Sequence, residues 1–324
     1  MNINEFIVQT LESIGVDYVF GGSGQVNASL MIALKNSKIK TAIVKNEQAA
    51  SFMACGYSMF SHKLGVCFAT GGPGAFNLMS GLGVALSDSL PILAISGYEA
   101  ADLLGKGALA ETSGLNRTPH SQKMFAATTK KTFLISDPDQ TCDVVEEAIN
   151  TAFEGRPGPV HIHIPIDLTT KEVTNYREIK IDVKPVLSKP EKIVEFAETI
   201  ARGIRDKKQT MALLGYGCVR SRAEKELLAF VEKFQIPFAT TMDAKGILPE
   251  DHPLSLGVFG TAGDPGSKKY FKDAHFVIAL GNSFAHNDTF RFKSDLYDGK
   301  VLMHINIDRH EINKVYEAEY GMIS

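Results

Sequence analysis

The chain has no basic block, no Cys-x-x-Cys pair and no apolar run reaching the ~18 residues that a membrane span needs. Each absence removes a class of function. With a net charge of −3 and no basic stripe, the sequence excludes a nucleic-acid partner. The missing apolar run excludes a spanning helix. Met1-Asn2-Ile3-Asn4-Glu5 lacks the positive start and apolar core of a secretory signal, so the expected location is cytoplasmic. Cys55, Cys67, Cys142 and Cys218 are scattered, which gives neither a disulfide framework nor a zinc site and predicts buried, inert thiols. A nicotinamide fingerprint is incomplete as well. In Gly21-Gly22-Ser23-Gly24-Gln25-Val26-Asn27 the third glycine of G-x-G-x-x-G is replaced by Asn27, and no acidic residue ends a second strand at the required distance. His161 and His163 share one face of a strand, but no further ligand stands at metal-binding spacing, so no metal site is assigned.

What is there is a chain of 324 residues with alternating strand and helix patterns, a length that suits two domains of about 150 residues each. The expected fold class is α/β: two Rossmann-like domains with mostly parallel sheets flanked by helices. Phe6, Ile7, Leu11 and Ile14 form a helix face that Gly15 ends before the strand 17–20. The Gly-rich turn 21–27 leads into a helix with an apolar stripe of Val26, Leu30, Ala33 and Leu34. The runs Thr41-Ala42-Ile43-Val44 and Leu64-Gly65-Val66-Cys67-Phe68 are continuous rather than alternating, as parallel strands covered on both faces require. Further strands are expected at 91–95 and 160–164, with helices over 75–87 and around Val144, Val145, Ile149 and Phe153. From Tyr98 to Thr132 the pattern is irregular and rich in Gly, Ser and Thr, which reads as a long functional loop. The polar stretch 171–189 reads as a linker. Beyond it, strands at 210–214, 237–241, 276–280 and 302–308 and a helix over 221–234 make a second sheet.

Two short runs carry the chemistry. Lys45-Asn46-Glu47-Gln48-Ala49-Ala50 and Ala69-Thr70-Gly71-Gly72-Pro73-Gly74-Ala75-Phe76-Asn77 each open a helix straight after a strand. Open α/β sheets place their ligand crevice at such carboxyl ends. Glu47 alone has an ordinary explanation, since a carboxylate in the first turn complements the helix dipole and Asn46 is a good cap. Its setting points elsewhere: the helix that follows is rich in small residues, and a glycine turn stiffened by Pro73 lies one βα unit away.

Glu47 through Gly97 resembles the pyrimidine-binding domain of thiamine-diphosphate enzymes, above all the acetolactate synthase group. Gly155-Arg156-Pro157-Gly158-Pro159-Val160-His161-Ile162-His163-Ile164-Pro165 resembles the strand that closes this domain, and Leu213-Leu214-Gly215-Tyr216-Gly217-Cys218 resembles the first strand and turn of the family's central domain. The resemblance implies a pyrimidine-binding domain over 1–170, a linker over 171–189 and a central domain over 190–324, cut short within its last strand. It implies thiamine diphosphate as cofactor and a 2-oxo acid as substrate, decarboxylated and then released as an aldehyde or joined to a second carbonyl compound. Glu47 becomes the catalytic carboxyl that exchanges a proton with the cofactor's pyrimidine ring. The cofactor-binding set is Gly24, Gln25, Glu47, Thr70, Gly71 and Asn77, with Arg156 at a position that contacts FAD in acetolactate synthases. A carboxyl suited to the role is expected to be buried among apolar neighbours.

The resemblance also implies Mg²⁺, held with the diphosphate by a Gly-Asp-Gly motif that this sequence lacks; Ala262-Gly263-Asp264-Pro265-Gly266 is a lookalike with proline after its Asp. These residues by themselves are therefore expected to have little cofactor affinity. The central domain is left open between FAD, another adenine nucleotide and no ligand. A homodimer or homotetramer is implied, with a second copy covering the surface that bears Glu47. The sequence departs from acetolactate synthases at Leu109-Ala110-Glu111, where they carry Phe-Gln-Glu, at Asn46, where they carry His, and in extra residues between Thr112 and Thr128. The alternative is a non-catalytic or regulatory nucleotide-binding protein built from the same two domains.

Overall fold

The computed structural model describes residues 1–206 and 208–324. They form two compact units, Met1–Lys184 and Pro185–Ser324. In chain order the first unit contains α1 (Ile3–Ser13), β1 (Tyr18–Gly21), α2 (Ala28–Lys35), β2 (Lys40–Ile43), α3 (Glu47–Ser61), β3 (Gly65–Ala69), α4 (Pro73–Asn77), α5 (Met79–Ser87), β4 (Ile92–Tyr98), α6 (Ser121–Ala126), β5 (Lys131–Leu134), α7 (Thr141–Phe153) and β6 (Pro159–Pro165). Its six strands lie in the order β2-β1-β3-β4-β6-β5 and every pairing is parallel.

Cover on both faces explains the uninterrupted apolar runs of β3 and β4, whereas β2, expected to be covered in the same way, lies at the edge of the sheet with Lys40 and Ile43 exposed. Val66, Phe68, Leu93 and Ile95 face a core shared with α1, α2 and α7. Their neighbours Cys67, Ala69, Ile92 and Ala94 face a second core shared with α3, α4, α5 and α6. Local signals place the helices that fill these faces. Asn2 and Glu5 form a reciprocal cap at the start of α1, with Glu5 N–H donating to Asn2 Oδ1 and Asn2 N–H to Glu5 Oε2, both at 2.9 Å. The side chain of Val26, which the sequence sets on the α2 stripe, lies outside the described residues.

The second unit contains α8 (Pro190–Arg205), β7 (Thr210–Leu214), α9 (Tyr216–Arg220), α10 (Glu224–Phe234), β8 (Phe238–Thr240), β9 (Ser255–Val258), α11 (Pro265–Asp273), β10 (Phe276–Leu280), β11 (Val301–Asn306) and β12 (Tyr320–Ile323). Its six-stranded sheet, ordered β12-β11-β10-β7-β8-β9, is also parallel throughout. Both units are thus Rossmann-like α/β layers. Among the described residues no helix is long and apolar enough to cross a membrane.

Several elements differ from the sequence expectation. The helix over 75–87 is two, α4 and α5, with a turn at Leu78. The stretch read as irregular up to Thr132 holds α6 and the start of β5. The helix over 221–234 begins at Glu224, preceded by the separate short α9. β9 and α11 have no counterpart in the sequence expectation; Asp264 is the N-cap residue of α11 and Pro265 its first residue, where a missing N–H costs nothing. Residues 171–184 pack with the first unit. Val173 and Ile179 are buried in its core, and Arg177 bonds Asp143 and Glu146 on α7.

Candidate active site

The order of the first sheet reverses between β1 and β3, since β1 leads to β2 on one side and β3 to β4 on the other. Loops leaving the carboxyl ends of neighbouring strands diverge at such a point and open a crevice. The loop after β1 carries Gly22 and Gly24, the loop after β3 carries Thr70 to Gly72, and Glu47 opens α3 after β2. Asn46 caps that helix, its Oδ1 accepting the Gln48 N–H at 2.8 Å.

How closely these segments meet is measured by what a methyl group would strike. A Cβ on Gly24 would lie 2.4 Å from Thr70 Cβ; one on Gly74 would lie 2.8 Å from Thr70 Cγ2 and 3.0 Å from Glu47 Oε1. A Cβ on Gly22 would lie 3.8 Å from the same Glu47 oxygen. Glycine is thus demanded at 24 and 74 by close approach and not by a turn alone. From the last residue of α4, Asn77 Nδ2 donates to Glu47 Oε2 at 3.0 Å. Gly24, Glu47, Thr70 and Asn77 therefore form one cluster, and Gly71 is buried in the turn beside it.

Asn27 breaks the dinucleotide fingerprint for a visible reason. Its Oδ1 accepts the Gly24 N–H at 2.7 Å and its Nδ2 donates to the Gly22 carbonyl at 2.9 Å, so it ties together the turn that lines the crevice. Gln25 opens the short 3₁₀ turn that follows, with its side chain exposed. Glu47 departs from expectation: it is half-buried rather than buried, because two of its near neighbours are glycines with no side chain to cover it.

Arg156 does not join this cluster. It precedes β6, at the amino end of the sheet, where its Nε donates to Ser89 Oγ at 2.8 Å and its Nη2 to the Ser87 carbonyl at 3.0 Å. The guanidinium is engaged in holding the turns before β4 and β6. Among the described residues no group of three or more His, Cys, Asp or Glu is arranged to hold a metal.

His161 and His163 belong to a buried polar chain. Ser96 Oγ lies 2.9 Å from His161 Nε2 and 3.0 Å from His163 Nδ1, and Thr132 Oγ1 lies 3.1 Å from His161 Nδ1. Phe125 stacks on the His161 ring with centroids 3.5 Å apart. Burial pushes both imidazoles down, His163 to about 3, so both are neutral. All four cysteines are free and buried.

The sequence reading missed the residues that bring the 98–120 loop to the crevice. Gly72 has φ 62° and ψ −130°, and a Cβ there would lie 2.8 Å from Ala110 Cβ. Ala110, itself at φ 62°, thus rests directly on the β3 turn. Glu111 ties this loop together, accepting from the N–H groups of Gly105 at 2.5 Å, Gly107 at 2.9 Å and Ala108 at 3.1 Å and from Ser113 Oγ at 2.5 Å. The available signal was a glutamate just after two glycines in a loop, a common pattern for a carboxylate that gathers backbone donors.

Residues 1–117 match the family model described as thiamine pyrophosphate enzyme, N-terminal TPP binding domain, and residues 197–324 match thiamine pyrophosphate enzyme, central domain. Thiamine pyrophosphate and thiamine diphosphate are the same compound. A probable acetolactate synthase large subunit of Methanocaldococcus jannaschii is 33% identical over 326 residues, covering 98% of this chain and 53% of that protein. The acetolactate synthase large subunit of Corynebacterium glutamicum is 32% identical over 321 residues, covering 98% and 50%. Acetolactate synthase 2, chloroplastic, of Zea mays is 33% identical over 315 residues, covering 96% and 48%. The chain spans about half the length of these relatives. With its two units matched in order by the family's N-terminal and central domains, the chain belongs to the thiamine pyrophosphate enzymes and is acetolactate synthase-like in sequence.

Proposed function

We propose that this chain supplies the pyrimidine side of the active site in a thiamine-diphosphate-dependent 2-oxo acid decarboxylase or carboligase of the acetolactate synthase kind. The observation that carries this reading is the Glu47 carboxyl, held by Asn77 at one oxygen while the other faces the glycines at 22 and 74. Thiamine diphosphate, when bound, supplies the electron sink that a 2-oxo acid needs in order to lose CO₂. The residues present fit its flat pyrimidine ring. Gly22, Gly24 and Gly74 leave backbone rather than side chains around Glu47, and Thr70 and the buried Gly71 complete the wall.

In this reading Glu47 holds a proton at Oε1 and exchanges it with a ring nitrogen of the pyrimidine. Asn77 fixes the carboxyl plane through Oε2, so the exchanging oxygen stays in place from one turnover to the next. Gly24 and Gln25 border the mouth of the crevice. The diphosphate and its Mg²⁺ are assigned to the part of such an enzyme that lies beyond the length shared here.

The working form in this reading is a homodimer or a tetramer of such pairs. α3 has no charged residue after Glu47, and it exposes Phe52, Met53 and Phe60 on one face, the last at 85%. An apolar stripe of that kind beside the site suits cover by a second copy. The test is exchange of the thiazolium proton for deuterium in the full-length protein with thiamine diphosphate and Mg²⁺. Glu47→Gln keeps the shape and removes the exchanging proton, so exchange should slow at least about a hundredfold. Exchange at the wild-type rate in this variant refutes the reading.

A further inference from the structure

His163 on β6 is fully buried, and one of its ring nitrogens is accounted for, Nδ1 lying 3.0 Å from Ser96 Oγ. Nε2 is shut away from solvent and has no hydrogen-bond partner among the described residues. Such a nitrogen is rare in a protein interior, because it has lost water and gained no bond in return. The ring cannot swing round to find one. Tyr98 packs against it with centroids 4.9 Å apart, His161 meets it edge-on at 4.2 Å and Phe125 at 5.6 Å.

A second unpartnered nitrogen comes from the loop that spans 98–120. This loop departs where β4 ends at Tyr98 and returns at His120, the N-cap residue of α6, the helix that carries Phe125. Its returning end is closed on itself, with Gly114 N–H donating to the Pro119 carbonyl at 2.9 Å and Ser121 N–H to the Thr112 carbonyl at 3.0 Å. A Cβ on Gly114 would lie 2.8 Å from His120 Cδ2, so that edge of the imidazole faces the closed end and Nδ1, across the ring, faces away from it. His120 Nδ1 is likewise shut from solvent, with no partner among the described residues. After burial itself, His120 is the group that pushes the His163 imidazole down, as only a near neighbour does.

We propose that a single water, cut off from bulk solvent, joins His120 Nδ1 to His163 Nε2, and that this bridge latches the 98–120 loop to the sheet. Water suits both ends. Ser96 has one hydroxyl proton and two imidazoles to serve, so His163 Nε2 is a donor in one sense of the chain and an acceptor in the other, and water answers either. A metal ion would need further ligands, and among the described residues no group of three or more His, Cys, Asp or Glu offers them. The latch bears on the crevice through Ala110, whose Cβ lies 2.8 Å from where a Cβ on Gly72 would be. Two residues on, a Cβ on Gly74 would lie 3.0 Å from Glu47 Oε1. His120 and His163 are therefore positioning residues, acting on the crevice wall through the loop. The latch stands whether or not that crevice holds thiamine diphosphate.

The test uses the full-length protein. A crystal structure should show a water hydrogen-bonded to both nitrogens, and its absence overturns the proposal. Trypsin reads the loop, because Lys106 and Arg117 are exposed on it and become good substrates when it lifts off the sheet. His120→Ala should speed cleavage at these two sites at least about tenfold. His120→Asn should bring the rate back to within about twofold of wild type, because its side-chain amide ends where Nδ1 was and still holds the water. Lost packing alone would not be restored by the smaller Asn. His163→Phe, which keeps a ring and lacks Nε2, should match His120→Ala, and the double variant should be no faster than either. Unchanged cleavage in His120→Ala, no recovery in His120→Asn, or additive effects in the double variant each overturns the latch. If His163→Phe does not fold, the two His120 variants decide the matter.

Discussion

Asn77 and Glu47 lie 30 residues apart in sequence and meet through a 3.0 Å hydrogen bond from Asn77 Nδ2 to Glu47 Oε2. The bond joins the start of α3 to the end of α4, and it fixes which carboxyl oxygen is left for a ligand. Removing the donor should let the carboxyl rotate. Asn77→Ala is expected to slow thiazolium proton exchange about tenfold, the worth of one hydrogen bond to a charged group. Asn77→Asp should be worse, since it replaces the donor facing Glu47 Oε2 with a second carboxyl. Deuterium exchange followed by NMR distinguishes the two.

The contact between Gly24 and Thr70 leaves no room for a methyl group. Gly24→Ala should destabilise the first unit by about 1–3 kcal/mol through overpacking against Thr70. Thr70→Gly made in the same chain should recover part of that loss, because it removes the atoms that the new methyl strikes. A double-mutant cycle by urea denaturation measures the coupling, and simple additivity would contradict the contact.

Gly72 combines two demands, a backbone conformation at φ 62° and ψ −130° and a close approach by Ala110. Gly72→Ala should therefore cost more than Gly83→Ala, where a Cβ meets nothing within 4 Å. Thermal melting of the two variants gives the comparison; equal melting temperatures would mean that the 98–120 loop does not rest on the β3 turn.

Acid should loosen that loop. Glu111 has a folded-state pKa below its ordinary value because of Ser113 and the Gly105, Ala108 and Gly107 N–H groups. Its contribution is complete above the unfolded carboxylate pKa and is lost as pH falls toward the lower folded value. Hydrogen exchange at the amides of Gly105, Gly107 and Ala108 should accelerate, relative to the intrinsic rate, as pH falls below the ordinary carboxylate range. In Glu111→Gln those amides should already exchange fast at neutral pH.

The buried histidines predict a second acid effect. Each has a folded pKa below its unfolded value of about 6.5. Stability from these groups is whole above that pH and falls by about 1.4 kcal/mol per pH unit for each histidine below it. For His163 the fall continues to about pH 3. His163→Gln should lose less stability than wild type between pH 7 and pH 5, as read from urea midpoints; an unchanged slope would place His163 in contact with water.

Much of the fold was legible because its signals are local. Continuous apolar strands, capped helices and glycine turns at regular spacing follow from the backbone and from the need to cover both faces of a parallel sheet, and they set two α/β units without reference to distant residues. Glu47 and the 70–77 turn were legible for the same reason, as runs that open helices directly after strands. Elements with weak local signals were not: β5 and α6 sit in a polar stretch, and Pro265 reads as a breaker until its place at the first turn of α11 is seen. What only tertiary structure decided is which residues touch. The order of strands brings the loops after β1, β2 and β3 to one crevice, turns Asn27 from a missing glycine into a tie between Gly22 and Gly24, and sends Arg156 to the opposite end of the sheet. Contacts of this kind depend on strand order and loop path, which no window of neighbouring residues encodes.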